Sequence, residues 1–166
     1  MKVCFAHSMA NKVLLERNIL KISVEVKITE TVSMLEFEEA VQEALNQVGT
    51  LATSEGLKRF DSDGSPILVG GVKLTSKGQV GKAYQTPYGQ VIVERHVYQG
   101  VWGGKTYCPL DHQARVVNTS TPRFAKMAAF KYGVMKSTIA QKDLQENHGR
   151  RVSRCFLQDI AEDVAA

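Results

Sequence analysis

The sequence predicts an α+β chain: an N-terminal strand and helix, a small antiparallel β-meander, and a C-terminal helical region that ends in a helix-turn-helix. Three observations carry this reading. Apolar residues alternate with polar ones over residues 22–29, they recur at helical spacing over residues 34–51, and two amphipathic stretches near the C-terminus are joined through Gly149.

In the first stretch Ile22, Val24, Val26 and Ile28 alternate with Ser23, Glu25, Lys27 and Thr29, the period of a half-buried strand. Ser33 followed by Glu36 is a capping-box signature. Met34, Phe37, Val41, Ala44, Val48 and Leu51 then form one apolar seam. The seam is shorter than the three to four heptads of a coiled coil, which favours packing within the chain over dimerisation. Between residues 61 and 81 glycine, serine, aspartate and proline cluster, as in DSDGSPILVGG and TSKGQVG, and predict turns around short extended pieces. Thr86-Pro87-Tyr88-Gly89 predicts a hairpin turn between GKAYQ and VIVERHVYQ, and WGGK turns the chain toward TYCPL. The expected result is a three-stranded meander.

Thr121 followed by Pro122 reads as an N-cap with proline at the first helical position, opening a helix over residues 122–136. Phe124, Met127, Ala128 and Val134 would face a core, and Arg123, Lys126, Lys131 and Lys136 would present cations outward. Ser137 is a candidate cap for the next helix. Gly149 supplies the positive φ that ends it, and Ser153 caps the last one. Ile139, Ala140 and Leu144 line the first of this pair, Val152 packs in the turn, and Leu157, Ile160, Ala161 and Val164 form the buried stripe of the second. The expected divisions are residues 1–30, an extension with one strand; 31–60, the amphipathic helix; 61–117, the meander; and 118–166, the basic helical region.

The net charge of +4 is unevenly placed. Residues 115–154 hold nine basic and two acidic side chains, net +7, whereas residues 1–57 hold five and eight. A cationic stretch of that density favours phosphate polyanions through counterion release. If the apolar stripe of the last helix faces the core, Arg154 and Gln158 project from its first half, where a recognition helix meets base edges. Arg154 suits guanine and Gln158 suits adenine, whereas Arg150, Arg151, Ser153, Arg123, Lys126, Lys131 and Lys136 are expected at phosphates.

Other chemistries find little in the sequence. No run of about 18 apolar residues exists to span a bilayer, and the first residues lack the apolar core of a signal peptide, so no membrane partner is expected. The three cysteines, Cys4, Cys108 and Cys155, are unpatterned and fit reduced thiols in a bacterial cytoplasm. His96, Cys108 and His112 offer three zinc ligands where structural sites use four. Asp61, Asp63, Glu94 and Asp111 are dispersed and receive no metal role. No phosphate loop or dinucleotide fingerprint is present, and Trp102 stands in a glycine turn where stacking on a base competes with plain exposure.

The segments KLTSKGQVGKAYQTPYGQVIVERHVYQ, GGKTYCPLD, TPRFAKM and DLQENHGRRVSRCFLQDIAE resemble the ISKra family of insertion-sequence transposases, from about Thr31 onward. The helix-turn-helix also looks like its counterpart in Mutator-type transposases. The resemblance implies a DDE-type enzyme, in which three carboxylates hold two divalent metals such as magnesium. It implies too that this chain ends before that catalytic domain, so DNA binding is carried over and catalysis, catalytic residues and cofactors are not. The partner expected is double-stranded DNA at transposon ends. Two alternatives stay open: an interaction module that pairs with itself or with full-length transposase and inhibits it, and a decayed element without selected function.

Overall fold

The computed structural model describes residues 12–16, 19–25 and 33–166. Its class is α+β, as expected. The described elements are β1 (Lys12–Glu16), β2 (Ile19–Ser23), α1 (Met34–Lys58), β3 (Ile67–Val69), β4 (Val72–Gln85), β5 (Gln90–Gly100), β6 (Gly103–Tyr107), α2 (Pro109–Gln113), α3 (Pro122–Val134), α4 (Ser137–His148) and α5 (Arg154–Ala165). The chain divides into two compact units, Met1–Val48 and Gly49–Ala166.

In the first unit β1 and β2 pair antiparallel, with Lys12 opposite Ser23 and Glu16 opposite Ile19. The sequence expected one strand over residues 22–29. Only its first two residues are in β2, and residues 26–29 lie outside the described ones. The opening of α1 follows the sequence, since the Glu36 amide donates to Ser33 Oγ at 3.3 Å. The apolar seam is less buried than expected at this end, because Met34 and Phe37 are exposed.

The second unit is built on a four-stranded antiparallel sheet, β3-β4-β5-β6, one strand more than the sequence predicted. TSKGQVG is not a turn. It runs within the 14-residue β4, where the register against β5 shifts between Ser76 and Gln79 and Gly78 takes φ +105°. A bulge accommodates the glycine and leaves the strand continuous. The β4–β5 turn is closed by Thr86, fully buried, whose hydroxyl donates to the Gly89 carbonyl (2.7 Å) and accepts from the Gly89 amide (3.1 Å). The stretch of α1 at Gly49 and Thr50 lies against this turn. A Cβ on Gly49 would overlap the Tyr88 ring and one on Gly89 would overlap Thr50, so two glycines permit the approach.

Two apolar cores result. Leu57, Tyr84, Val91, Val93 and Leu110 fill the space beneath the sheet. Phe124, Ala125, Ala128, Ala140, Leu144, Val152, Leu157 and Ile160 make the core of the C-terminal helices. Gln85 joins them. Its amide donates to the Thr119 carbonyl (2.8 Å), its carbonyl accepts from the Thr121 amide (2.9 Å), and its side-chain oxygen accepts from Arg150. The connecting segment bends sharply, with Arg115, Asn118 and Thr119 all at positive φ.

Candidate nucleic-acid interface

The helices α4 and α5 form the helix-turn-helix that the sequence predicts. Gly149 sits at φ 61°, ψ 21°, its amide donates to the Gln145 carbonyl (3.0 Å), and the Arg150 amide donates to the Leu144 carbonyl (2.9 Å). Those two bonds satisfy the Gln145 and Leu144 carbonyls near the end of α4 and turn the chain back. Gln141 reaches across to the Val152 carbonyl at 2.7 Å, and Val152 is buried in the turn. Ser153 caps α5 by accepting from the Phe156 amide at 3.1 Å. Leu157 and Ile160 are fully buried, which fixes the rotation of α5 about its axis.

With that rotation set, Arg154 and Gln158 are exposed, one helical turn apart on the outer face of α5. They line a shallow cleft of about 220 Å³ with Tyr132, Ser137 and Cys155. Ser137 is the first residue of α4 and Lys136, exposed, is its N-cap, so Lys136 and not Ser137 occupies the capping position. Gln158 is engaged by Glu162, its Nε2 donating to the carboxylate at 2.8 Å. Arg151 and Ser153 are exposed in the turn. On α3, Arg123, Lys126 and Phe130 form an outward stripe. Val134 and Ile139, expected inside, are exposed at 61% and 53%, and Ala125 takes a core place beside Phe124 and Ala128.

Two of the expected phosphate contacts are not available as such. Arg150 is only 8% exposed, its guanidinium donates to the Gln85 side chain and lies 5.7 Å from the centroid of the Phe124 ring, and its Nε has no partner. Burial pulls its pKa below the ordinary arginine value. It is a structural cation at the joint between the cores. The residue two places past the end of a helix closed in this way packs back on the last turn, which turns Arg150 inward and leaves Arg151 outside. Lys131 is half-buried and bonded to Asp143 of α4, so its charge is spent within the fold. Tyr132, Ser137 and Cys155 were missed as cleft residues because their proximity depends on how α3 crosses α5, which no local pattern encodes.

The Lys131 ammonium, helped by the Asn147 amide, holds the Asp143 carboxyl below its usual pKa. A depressed folded-state pKa stabilises the fold above the ordinary carboxylate value, and that contribution is lost as pH falls through the folded value. Asp143→Asn should therefore lower the melting temperature at pH 7 and make a smaller difference at pH 3; an equal difference at both would show that the charge is not what matters.

The remaining polar cluster is structural. Asp111 accepts from Tyr84 Oη (2.5 Å) and Lys82 Nζ (3.1 Å) and lies 3.7 Å from Arg95 Nη2. Burial and this bond raise the Tyr84 pKa. Arg95 also donates to Cys108, whose thiol is pushed up by burial and so is held protonated. The three residues considered for zinc thus have other neighbours: Cys108 has Arg95, His96 Nδ1 is 2.9 Å from Asp61, and His112 lies against the Tyr107 ring at 5.8 Å. Cys108 ends the β6 segment as the N-cap of α2, so TYCPL is strand only to Tyr107. Among the described residues no group of three or more His, Cys, Asp or Glu could hold a metal ion, and no helix is long and apolar enough to cross a membrane. Neither a comparison with protein-family models nor one with curated proteins finds a match to the chain.

Proposed function

We propose that this chain is the DNA-binding part of an insertion-sequence transposase, which holds double-stranded DNA at transposon ends through α4, the Gly149 turn and α5. The observation that carries the reading is the outward pair Arg154 and Gln158 on the first half of α5, held there by the Ser153 cap and by the burial of Leu157 and Ile160. Supporting it are the exposed cations Arg123, Lys126, Lys136 and Arg151, which suit a phosphate backbone, and the resemblance to ISKra transposases. The function is one of binding, in a bacterial cytoplasm. No strand-transfer chemistry is assigned to these residues and no cofactor to this chain.

The test is fluorescence anisotropy of the purified protein with a selected duplex and a scrambled one across a range of salt. Tighter binding to the selected duplex, weakening as salt rises, is the expected result. Gln158→Ala should relax preference at one base pair, by about 1–3 kcal/mol of discrimination, with little change in salt dependence. Absence of binding to any duplex at low salt would refute the reading.

A second reading, an interaction module acting on itself or on full-length transposase, is favoured by the exposure of Met34, Leu35 and Phe37 at the start of α1. Light scattering that found the chain monomeric alone and with the full enzyme would count against it.

A further inference from the structure

The end of the sheet opposite Gln85 carries an apolar tip. Leu74 pairs with Gly100 and Gly100 with Gly103, so the β3–β4 and β5–β6 turns stand side by side at this end. At the β5–β6 turn Trp102 is 99% exposed and Val101 76%; two strands away, at the same end of the sheet, Leu68 is 76% exposed. Gly103 and Gly104 take φ +78° and +93°, and Gln99 Nε2 donates to the Gly104 carbonyl at 2.7 Å. This is the chemistry of a two-residue corner followed by a left-handed glycine, which holds Val101 and Trp102 at the apex. A tryptophan so placed gains nothing from the fold, since its whole apolar surface stays in water.

The charge around the tip favours an anionic partner. β3, β4 and β6 contain no acidic residue and β5 contains only Glu94, six residues before Gly100. Asp61 is bound to His96, and Asp63 precedes Gly64, which also lies against His96, so both sit down the sheet from the turn. Lys73 and Lys105, next to the two turns, are exposed and have no ion-pair partner among the described residues; Lys77 is exposed farther down, at the bulge. An apolar apex flanked by unpaired ammonium groups suits a ligand with π faces framed by phosphates. β5 spans 11 residues, and at about 3.3 Å per residue the tip stands on the order of 30 Å from the Gln85 end, comparable with one helical turn of DNA.

We infer that Trp102 and Val101 form a second duplex-DNA contact, in which the indole stacks at a base step flanking the segment held by α5. The inference rests on the duplex-binding reading above and adds a site that the helix-turn-helix does not contain. Stacking of an aromatic side chain on a base is worth about 1–3 kcal/mol where the base is already unstacked, and opening a duplex step offsets part of that, so Trp102→Ala should weaken duplex binding about 5-fold, the lower end of the range. Because Trp102 is fully exposed, the variant should melt as the parent does.

Trp102 is also the only tryptophan in the chain, so its fluorescence reports on the tip alone. Titrating the full chain with a 40-base-pair mixed-sequence duplex at low salt should quench that fluorescence in step with the rise in anisotropy of the labelled duplex. Binding seen by anisotropy with an unchanged indole signal and undiminished affinity in Trp102→Ala would overturn the inference and leave the helix-turn-helix reading standing. Failure of the wild-type chain to bind at all would remove both. A blue-shifted, concentration-dependent indole signal without DNA, with a dimer in light scattering that Trp102→Ala abolishes, would make the tip a contact between copies of the chain and overturn the DNA contact.

Discussion

Replacing Arg150 with alanine should destabilise the C-terminal unit by about 2–4 kcal/mol, a sum of one charged hydrogen bond and one partly desolvated cation–π contact. The guanidinium links Gln85 of the sheet to Phe124 of the helical core, and its alkyl stem fills space that alanine would leave empty. Arg150→Met keeps that volume and should lose less. Thermal or urea unfolding measures both. The unpartnered Nε works against the arginine, since a buried donor without an acceptor costs free energy, and the lower half of the range is the better guide if that cost is large. An Arg150→Ala protein that melts as the parent does yet binds duplex more weakly would show that this residue faces ligand after all.

The second large effect belongs to the opposite kind of arginine. Arg151 and Lys126 are exposed, and reversing both charges, Arg151→Glu with Lys126→Glu, should leave the melting temperature nearly unchanged while lowering duplex affinity by on the order of a hundredfold at low salt. If both touch phosphates, the slope of log affinity against log salt should become shallower by roughly two, one for each contact removed. A loss of affinity with an unaltered slope would place the two side chains away from the backbone. Run beside Arg150→Ala, this pair separates a residue that holds the fold from residues proposed to hold a ligand, although Arg150 and Arg151 are neighbours in sequence.

That separation also measures what local sequence encodes. Gly149, Ser153, Val152, Leu157 and Ile160 were legible because caps, left-handed glycine and a 3.6-residue stripe are properties of a few adjacent residues. The outward placement of Arg154 and Gln158 followed directly from the stripe. The fates of Arg150 and Lys131 were not legible, because each depends on a partner distant in sequence: Gln85 for the one and Asp143 for the other. The extra strand was missed for a different reason. TSKGQVG carries turn residues, and only pairing with β5 shows that they make a bulge within a strand. The sequence places Trp102 in a glycine turn, but its exposure and the absence of acidic residues on three of the four strands acquire meaning only with the turn at the end of the sheet.

The clasp at Gln85 bears on how the chain can be divided. A fragment beginning at Thr121 would keep every residue of the helical core, and by its apolar pattern would look self-sufficient. It would lose the acceptor that Arg150 meets and the strand end that holds the Thr121 amide, leaving the entrance of α3 and the turn after α4 loose together. Protease cutting between the sheet and α3 would then release not an independent domain but a helical piece whose turn before α5 has lost its outside support.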